Sequence, residues 1–233
     1  MYTIRRANER GAVDFGWLQS RHTFSFGHYQ DAKHMGFGPL RVINEDRVAP
    51  GQGFGKHPHQ DMEILSWVLS GTLEHKDSLG TGAQIRPGEL QRMSAGTGVT
   101  HSEFNASNTE SVHFLQIWIL PERKGLDAGY EQRAFSPEEL TDQWHLIASG
   151  KPGDAAVKIH QDVDLYATRL SAGRELVHDT SRGRKLWLQV IHGEVEAGSE
   201  TLRAGDGVAC TDITSLRVKA NTGAQALLFD MVA

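Results

Sequence analysis

Four side chains in two short segments carry the chemistry that this sequence can offer. His57 and His59 lie in Gly55-Lys56-His57-Pro58-His59, and His101 and Glu103 lie in Thr100-His101-Ser102-Glu103-Phe104. Residues two apart on a β-strand project from the same face, so each pair aims its side chains to one side. Pro58 donates no backbone hydrogen bond, which points to an edge strand or a strand entry. Imidazole suits iron, copper, nickel or zinc, at roughly 2.0–2.2 Å. Two same-face pairs on strands about 4.8 Å apart can converge on one ion. Three imidazoles and one carboxylate leave about two octahedral positions open, which is the pattern of a site that admits substrate or dioxygen. A lone His-X-His is a weak signal; the second pair, placed after the Gly96 and Gly98 turn, adds the specificity. Glu63 has the same parity as His57 and His59 and is a rival fourth ligand to Glu103.

Such pairs need strands to hold them. Glu63-Ile64-Leu65-Ser66-Trp67-Val68-Leu69 is apolar and stops at Ser70-Gly71, and Val112–Leu120 is a longer run stopped by Pro121. Short apolar runs divided by Gly, Ser and Asp turns predict an all-β sandwich or barrel. One helical turn is expected at Ser136-Pro137-Glu138-Glu139-Leu140, from an N-cap serine, proline at the first position and acidic residues behind it. Residues 121 to about 153 read as a linker and crossover. Beyond it the pattern repeats: Trp187–Glu196 parallels Ile64–Glu74, and Arg203–Val208 parallels Arg86–Gln91. A twofold repeat spaced by roughly 120 residues predicts two related barrels, over 1–133 and 134–233. Aligning Gly71 with Gly193 sets Asp179 and Ser181 opposite His57 and His59. Aligning Gly88 with Gly205 sets Val218 and Ala220 opposite His101 and Glu103. The second barrel is therefore expected to hold no metal.

Composition narrows the partners. A formal net charge of −5 with scattered basic residues gives no hold on nucleic acid or an anionic membrane. No stretch reaches the roughly 18 apolar residues of a membrane span, and the amino terminus has no apolar signal core, so a cytoplasmic protein is expected. The single cysteine, Cys210, sits in an apolar run and reads as a core residue. The remaining histidines, His75 and His178 among them, read as surface or satisfied groups, with His160 a weak exception. Phe54, Phe104 and Phe114 are candidates for a pocket wall, with core packing the simpler role for each.

These residues resemble the cupin signature, and their departures from it resemble the pirin family of bicupins. The first cupin motif is matched by Gly51, His57-Pro58-His59, Glu63 and Gly71. In the second, Ser94 replaces the usual proline and two extra residues precede His101. His75-Lys76-Asp77-Ser78-Leu79-Gly80, Met93–Gly98, His101–Asn105, Arg21–Phe26 and Tyr130–Arg133 are also pirin-like. The resemblance implies two tandem cupin (jelly-roll) barrels and a metal held by His57, His59, His101 and Glu103, rather than Glu63. It implies iron(II), with copper, nickel, cobalt, manganese or zinc as substitutes. For bacterial members it implies a quercetin 2,3-dioxygenase-like activity that opens a flavonol with dioxygen and releases carbon monoxide, with Glu103 as general base. The other reading that the family suggests is a non-enzymatic regulator, whose iron redox state alters a protein-binding surface.

Overall fold

The structure is a computed structural model and describes residues 1–151, 153 and 156–233. Pro152, within the expected linker, lies outside the described residues. In chain order the strands are β1 (Tyr2–Arg5), β2 (Gly11–Asp14), β3 (Leu18–His22), β4 (Leu40–Val48), β5 (Gly53–His59), β6 (Glu63–Ser70), β7 (Leu73–Asp77), β8 (Gly82–Ile85), β9 (Glu89–Ser94), β10 (Val99–Asn105), β11 (Val112–Ile119) and β12 (Gly129–Ala134). Helix α1 (Pro137–Leu140) follows. Then come β13 (His145–Ser149), β14 (Val157–Lys158), β15 (Val163–Leu170), β16 (Glu175–Asp179), β17 (Lys185–His192), β18 (Glu194–Ala197), β19 (Glu200–Arg203), β20 (Gly207–Cys210), β21 (Ser215–Ala220) and β22 (Ala224–Met231).

The chain divides into two compact units. Gly11–Ala134 with Val157–Gln161 form one; Met1–Arg10, Phe135–Ala156 and Asp162–Ala233 form the other. The exchange of Met1–Arg10 is invisible to a division at residue 133, because it depends on β1 pairing antiparallel with β20 at the far end of the chain.

In the first unit a seven-stranded sheet runs β12-β9-β6-β11-β4-β3-β2, and a four-stranded sheet runs β5-β10-β7-β8. Sequence periodicity explains the stacking. β3 alternates buried and exposed residues along its length, the pattern of a strand with one face on a core. Leu18, Val48, Val68 and Phe114 from the larger sheet meet Leu73 and Ile85 from the smaller one in one apolar cluster. The second unit repeats the plan, with β1-β20-β17-β22-β15-β13 in its larger sheet and β16-β21-β18-β19 in the smaller.

The repeat seen in the sequence is a repeat of backbone. β6 and β17 are each followed by a glycine of left-handed conformation, Gly71 at φ +76° and Gly193 at φ +78°. A Cβ on either would fall within 2.8 Å of a backbone oxygen, of Ser111 or of Gly223, so both positions require glycine. Helix α1 carries the expected cap: Ser136 Oγ accepts from Glu139 N at 3.3 Å, and the Glu139 carboxylate accepts from Ser136 N at 2.7 Å. Cys210 is fully buried in the second unit's core. Val218 and Ala220 are fully buried in that same core, where the first unit carries polar side chains.

Candidate metal centre

The smaller sheet of the first unit builds the site. β10 lies between β5 and β7. Its His101 stands opposite His57 on one side and Asp77 on the other, and Glu103 stands opposite His75. Strand parity therefore collects His57, His59, His75, Asp77, His101 and Glu103 on one face. β5 is the edge strand, which is where Pro58 is tolerated. Between His101 and Glu103 the register with β5 slips, so that Glu103 pairs with Phe54. Such a bulge re-aims side chains and frees a carbonyl. Here Gly55 O lies 2.7 Å from His57 Nδ1. A carbonyl only accepts, so His57 Nδ1 carries a hydrogen, and in the neutral ring Nε2 is the nitrogen with the lone pair.

His57, His59 and His101 place their ring nitrogens within 4.8 Å of one another. His101 Nε2 lies 3.1 Å from His57 Nε2, the spacing of two adjacent ligands at right angles on bonds of roughly 2.0–2.2 Å. Burial, and then the charge of His57, pull His59 down to about 4. Burial pulls His101 down to about 3, with His57, His59 and His75 adding to it. Both rings are neutral at pH 7, the state in which imidazole ligates. The donor chemistry, the spacing and the fixed tautomer of His57 all suit a divalent transition metal.

Glu103 joins a different group. Its carboxylate lies within 4.8 Å of His75 and His101 nitrogens, in a second group that shares His101 with the three-histidine cluster. Ser66 Oγ donates to one oxygen at 3.1 Å and Gln116 Nε2 to the other at 2.7 Å. Burial raises its pKa to about 7, and Asp46 adds to the rise against those two hydrogen bonds. Glu63 stands elsewhere. Asp61, at φ +50°, turns the chain between β5 and β6, so the parity shared by His59 and Glu63 in the sequence is lost. Glu63 is buried, with Ser94 Oγ at 3.0 Å and His160 N and Nδ1 each at 3.2 Å.

Several site residues escape a sequence reading. Phe26, Asn44, Asp46, Gln116 and Trp118 line the same pocket as the histidines, together with Phe54. Phe114 is core, whereas Phe104 is exposed. Asn44 and Asp46 alternate on β4, and the signal available was that parity alone. Asn44 Oδ1, Asp46 Oδ1 and Trp118 Nε1 are buried without a hydrogen-bond partner among the described residues. Phe26 packs edge-on against Trp118 at 5.2 Å, and His59 packs edge-on against the same indole at 5.0 Å. The pocket thus pairs aromatic walls with a few convergent polar groups, the usual make-up of a small-molecule site. His75 is no surface histidine: it is fully buried, bonded to Asp77, and stacked on Tyr130 at 5.1 Å. His178 is buried and satisfied by Asp230 at 2.9 Å.

Asp46 yields a stability prediction. Burial raises it to about 7; a Ser20 contact opposes the shift and the Glu45 charge adds to it. An acid raised on folding favours the native state fully below its unfolded pKa of about 3.9, and that contribution is lost as pH rises through about 7. Asp46→Asn is therefore expected to stabilise the metal-free protein at pH 8 by about 1–3 kcal/mol, and to match the wild type below about pH 4. Urea midpoints measured across that range check it. A constant offset at every pH would show that ionisation of Asp46 is not the cause.

Two antiparallel jelly-roll units, with a cluster of three histidines in the leading one, define a two-cupin protein. The chain belongs to the pirin family: the Pirin family model matches residues 3–119, and the quercetinase C-terminal cupin domain matches residues 146–231. It is 46% identical to the quercetin 2,3-dioxygenase of Escherichia coli K12 over 231 residues, covering 99% of each chain. The crystal structure of the E. coli pirin YhhW in complex with nickel(II) superimposes with a TM-score of 0.95 at 46% identity, covering 100% of this chain and 99% of that one. A quercetin 2,3-dioxygenase from Acinetobacter baumannii shares the fold, with a TM-score of 0.77 at 20% identity over 99% of this chain and 85% of that one. Among the described residues no helix is long and apolar enough to cross a membrane.

Proposed function

We propose that the protein is an iron-dependent dioxygenase that opens the heterocycle of a flavonol such as quercetin with dioxygen and releases carbon monoxide. The observation that carries this reading is the three-histidine cluster, with nitrogens 3.1 Å apart in one pair and Glu103 beside it, in a pocket walled by Phe26, Phe54 and Trp118. The name of the E. coli relative, at 46% identity over the full chain, supports the same chemistry. His57, His59 and His101 would hold the metal, with Glu103 as the fourth donor. A bound divalent metal supplies Lewis acidity toward the 3-oxygen of the flavonol.

The chain's own residues supply the rest. Glu103, whose pKa burial lifts to about 7, is matched to accept the 3-hydroxyl proton near neutral pH. Ser66 and Gln116 hold that carboxylate in place. Phe26, Phe54 and Trp118 offer ring faces and edges to a flat aromatic substrate, and their apolar surface excludes water from the reacting carbon atoms.

The test is anaerobic loading with iron(II), followed by quercetin and then dioxygen. Loss of the flavonol absorption band with one carbon monoxide released per flavonol is the expected result. Persistence of that band in iron-loaded protein, with no carbon monoxide, would remove the proposal.

A further inference from the structure

We propose that His75 and Asp77 act as a positioning pair that fixes the tautomer of His101 and thereby sets the metal affinity of the centre. This rests on the metal reading above. The side chains of both residues are fully buried. Asp77 Oδ1 accepts from Leu79 N at 2.9 Å and from Thr81 N at 3.0 Å. Its other oxygen, Oδ2, lies 3.1 Å from His75 Nε2. His75 Nδ1 lies 3.5 Å from His101 Nδ1, and His101 Nε2 faces His57 Nε2.

Counting hydrogens then leaves one arrangement. A carboxylate only accepts, so His75 Nε2 carries a hydrogen. A neutral imidazole has a single N–H, so His75 Nδ1 is left as an acceptor. The hydrogen in its contact with His101 must come from His101 Nδ1. That leaves His101 Nε2 bare, and this is the nitrogen turned toward His57. A neutral His57 ring reaches the same state through the Gly55 carbonyl. Two ligand rings are thus preset to offer Nε2, one by backbone and one by a relay of two side chains. Partners of this kind around a metal-binding histidine typically contribute 10–100-fold in affinity. Tyr130 packs over the relay: its ring lies 5.1 Å from that of His75 at 31°, and its hydroxyl donates to Gln132 Oε1 at 2.7 Å.

Asp77→Asn is the decisive variant, because the turn dictates how the new amide sits. The two backbone N–H groups of Leu79 and Thr81 demand an acceptor, so the amide oxygen stays with them. The NH₂ group then faces His75 Nε2, which must become the acceptor, and the hydrogen moves to His75 Nδ1. His101 Nδ1 must accept in turn, and its own hydrogen passes to Nε2, the atom a metal would use. An amide in place of an orienting carboxylate imposes the wrong tautomer in the same way in serine proteases.

Nickel(II) affinity is measured by chelator competition, and the ring tautomers of metal-free protein by ¹⁵N shifts. Asp77→Asn is expected to bind nickel(II) 10–100-fold more weakly, with the His101 signal moved from the Nδ1–H to the Nε2–H pattern. His75→Phe should weaken binding comparably. His75→Asn should stay near wild type, since its side-chain oxygen falls close to the position of Nδ1 and still accepts from His101. Unchanged affinity and tautomer in Asp77→Asn, or equal losses in His75→Asn and His75→Phe, would overturn the relay while leaving the metal reading intact. A wild type that takes up no nickel(II) would overturn both. Should Asp77→Asn fail to fold, the contrast between the two His75 variants decides the matter: a loss confined to His75→Phe supports the relay, and equal losses overturn it.

Discussion

His101→Ala is expected to leave the protein folded but without metal and without dioxygen-dependent flavonol loss. His101 is the hub of the cluster. It is the member shared by both ligand groups, it stands opposite His57 on β10, and its ring centroid lies 4.5 Å from that of His57 and 4.9 Å from that of His59. Without it, two imidazoles remain on a single edge strand, and no third nitrogen fixes their separation. An affinity loss of roughly 10³-fold corresponds to about 4 kcal/mol. The variant removes a buried neutral ring and strands no charge, so the fold is spared the penalty of an unpaired ion. Metal analysis of protein from its own host, and the metal-induced rise in melting temperature, both check this; the rise should vanish, since a ligand stabilises only what it binds. One metal per chain in the variant, with the thermal shift intact, would show that His101 is not a ligand.

The sequence carried the pairs and the repeat, because both are written in short-range spacing. His57 and His59, and His101 and Glu103, are separated by two, and strand parity needs nothing more. The glycines at 71 and 193 mark equivalent turns, and φ values of +76° and +78° explain why each is glycine. What the sequence hid depends on which strands are neighbours. β7 lies beside β10 and brings His75 opposite Glu103, a pairing that no spacing within either strand announces; His75 accordingly read as an ordinary satisfied histidine. Asn44 and Asp46 reach the pocket from the other sheet. Glu63, the rival carboxylate, stands with Ser94 and His160 for a local reason: parity counts only within one strand, and the left-handed Asp61 breaks it. Met1–Arg10 could not be assigned to the second unit either, since β1 finds its partner some two hundred residues away.

Glu103→Gln separates the two roles proposed for that residue. The substitution keeps volume and removes charge, and the surrounding hydrogen bonds can all be remade. The new amide oxygen can accept from Gln116 Nε2, which now donates to Glu103 at 2.7 Å. The new NH₂ can donate to Ser66 Oγ, whose hydroxyl turns to donate to Gln116 Oε1, 3.3 Å away. No buried group is then left unsatisfied, so stability should hold or improve slightly, the cost of burying a carboxylate having been removed. An amide cannot accept a proton at neutral pH. With His57, His59 and His101 still converging on the ion, the variant should keep most of its metal while kcat falls by about 10²–10⁴-fold, the usual contribution of a general base. Metal content and single-turnover rates on the same preparation distinguish the cases. Metal lost in proportion to activity would make Glu103 a ligand first and a base second. Full metal with an undiminished rate would exclude it from proton transfer, and the base would then have to be sought at Asp46, the other carboxylate that lines the pocket and also a buried one.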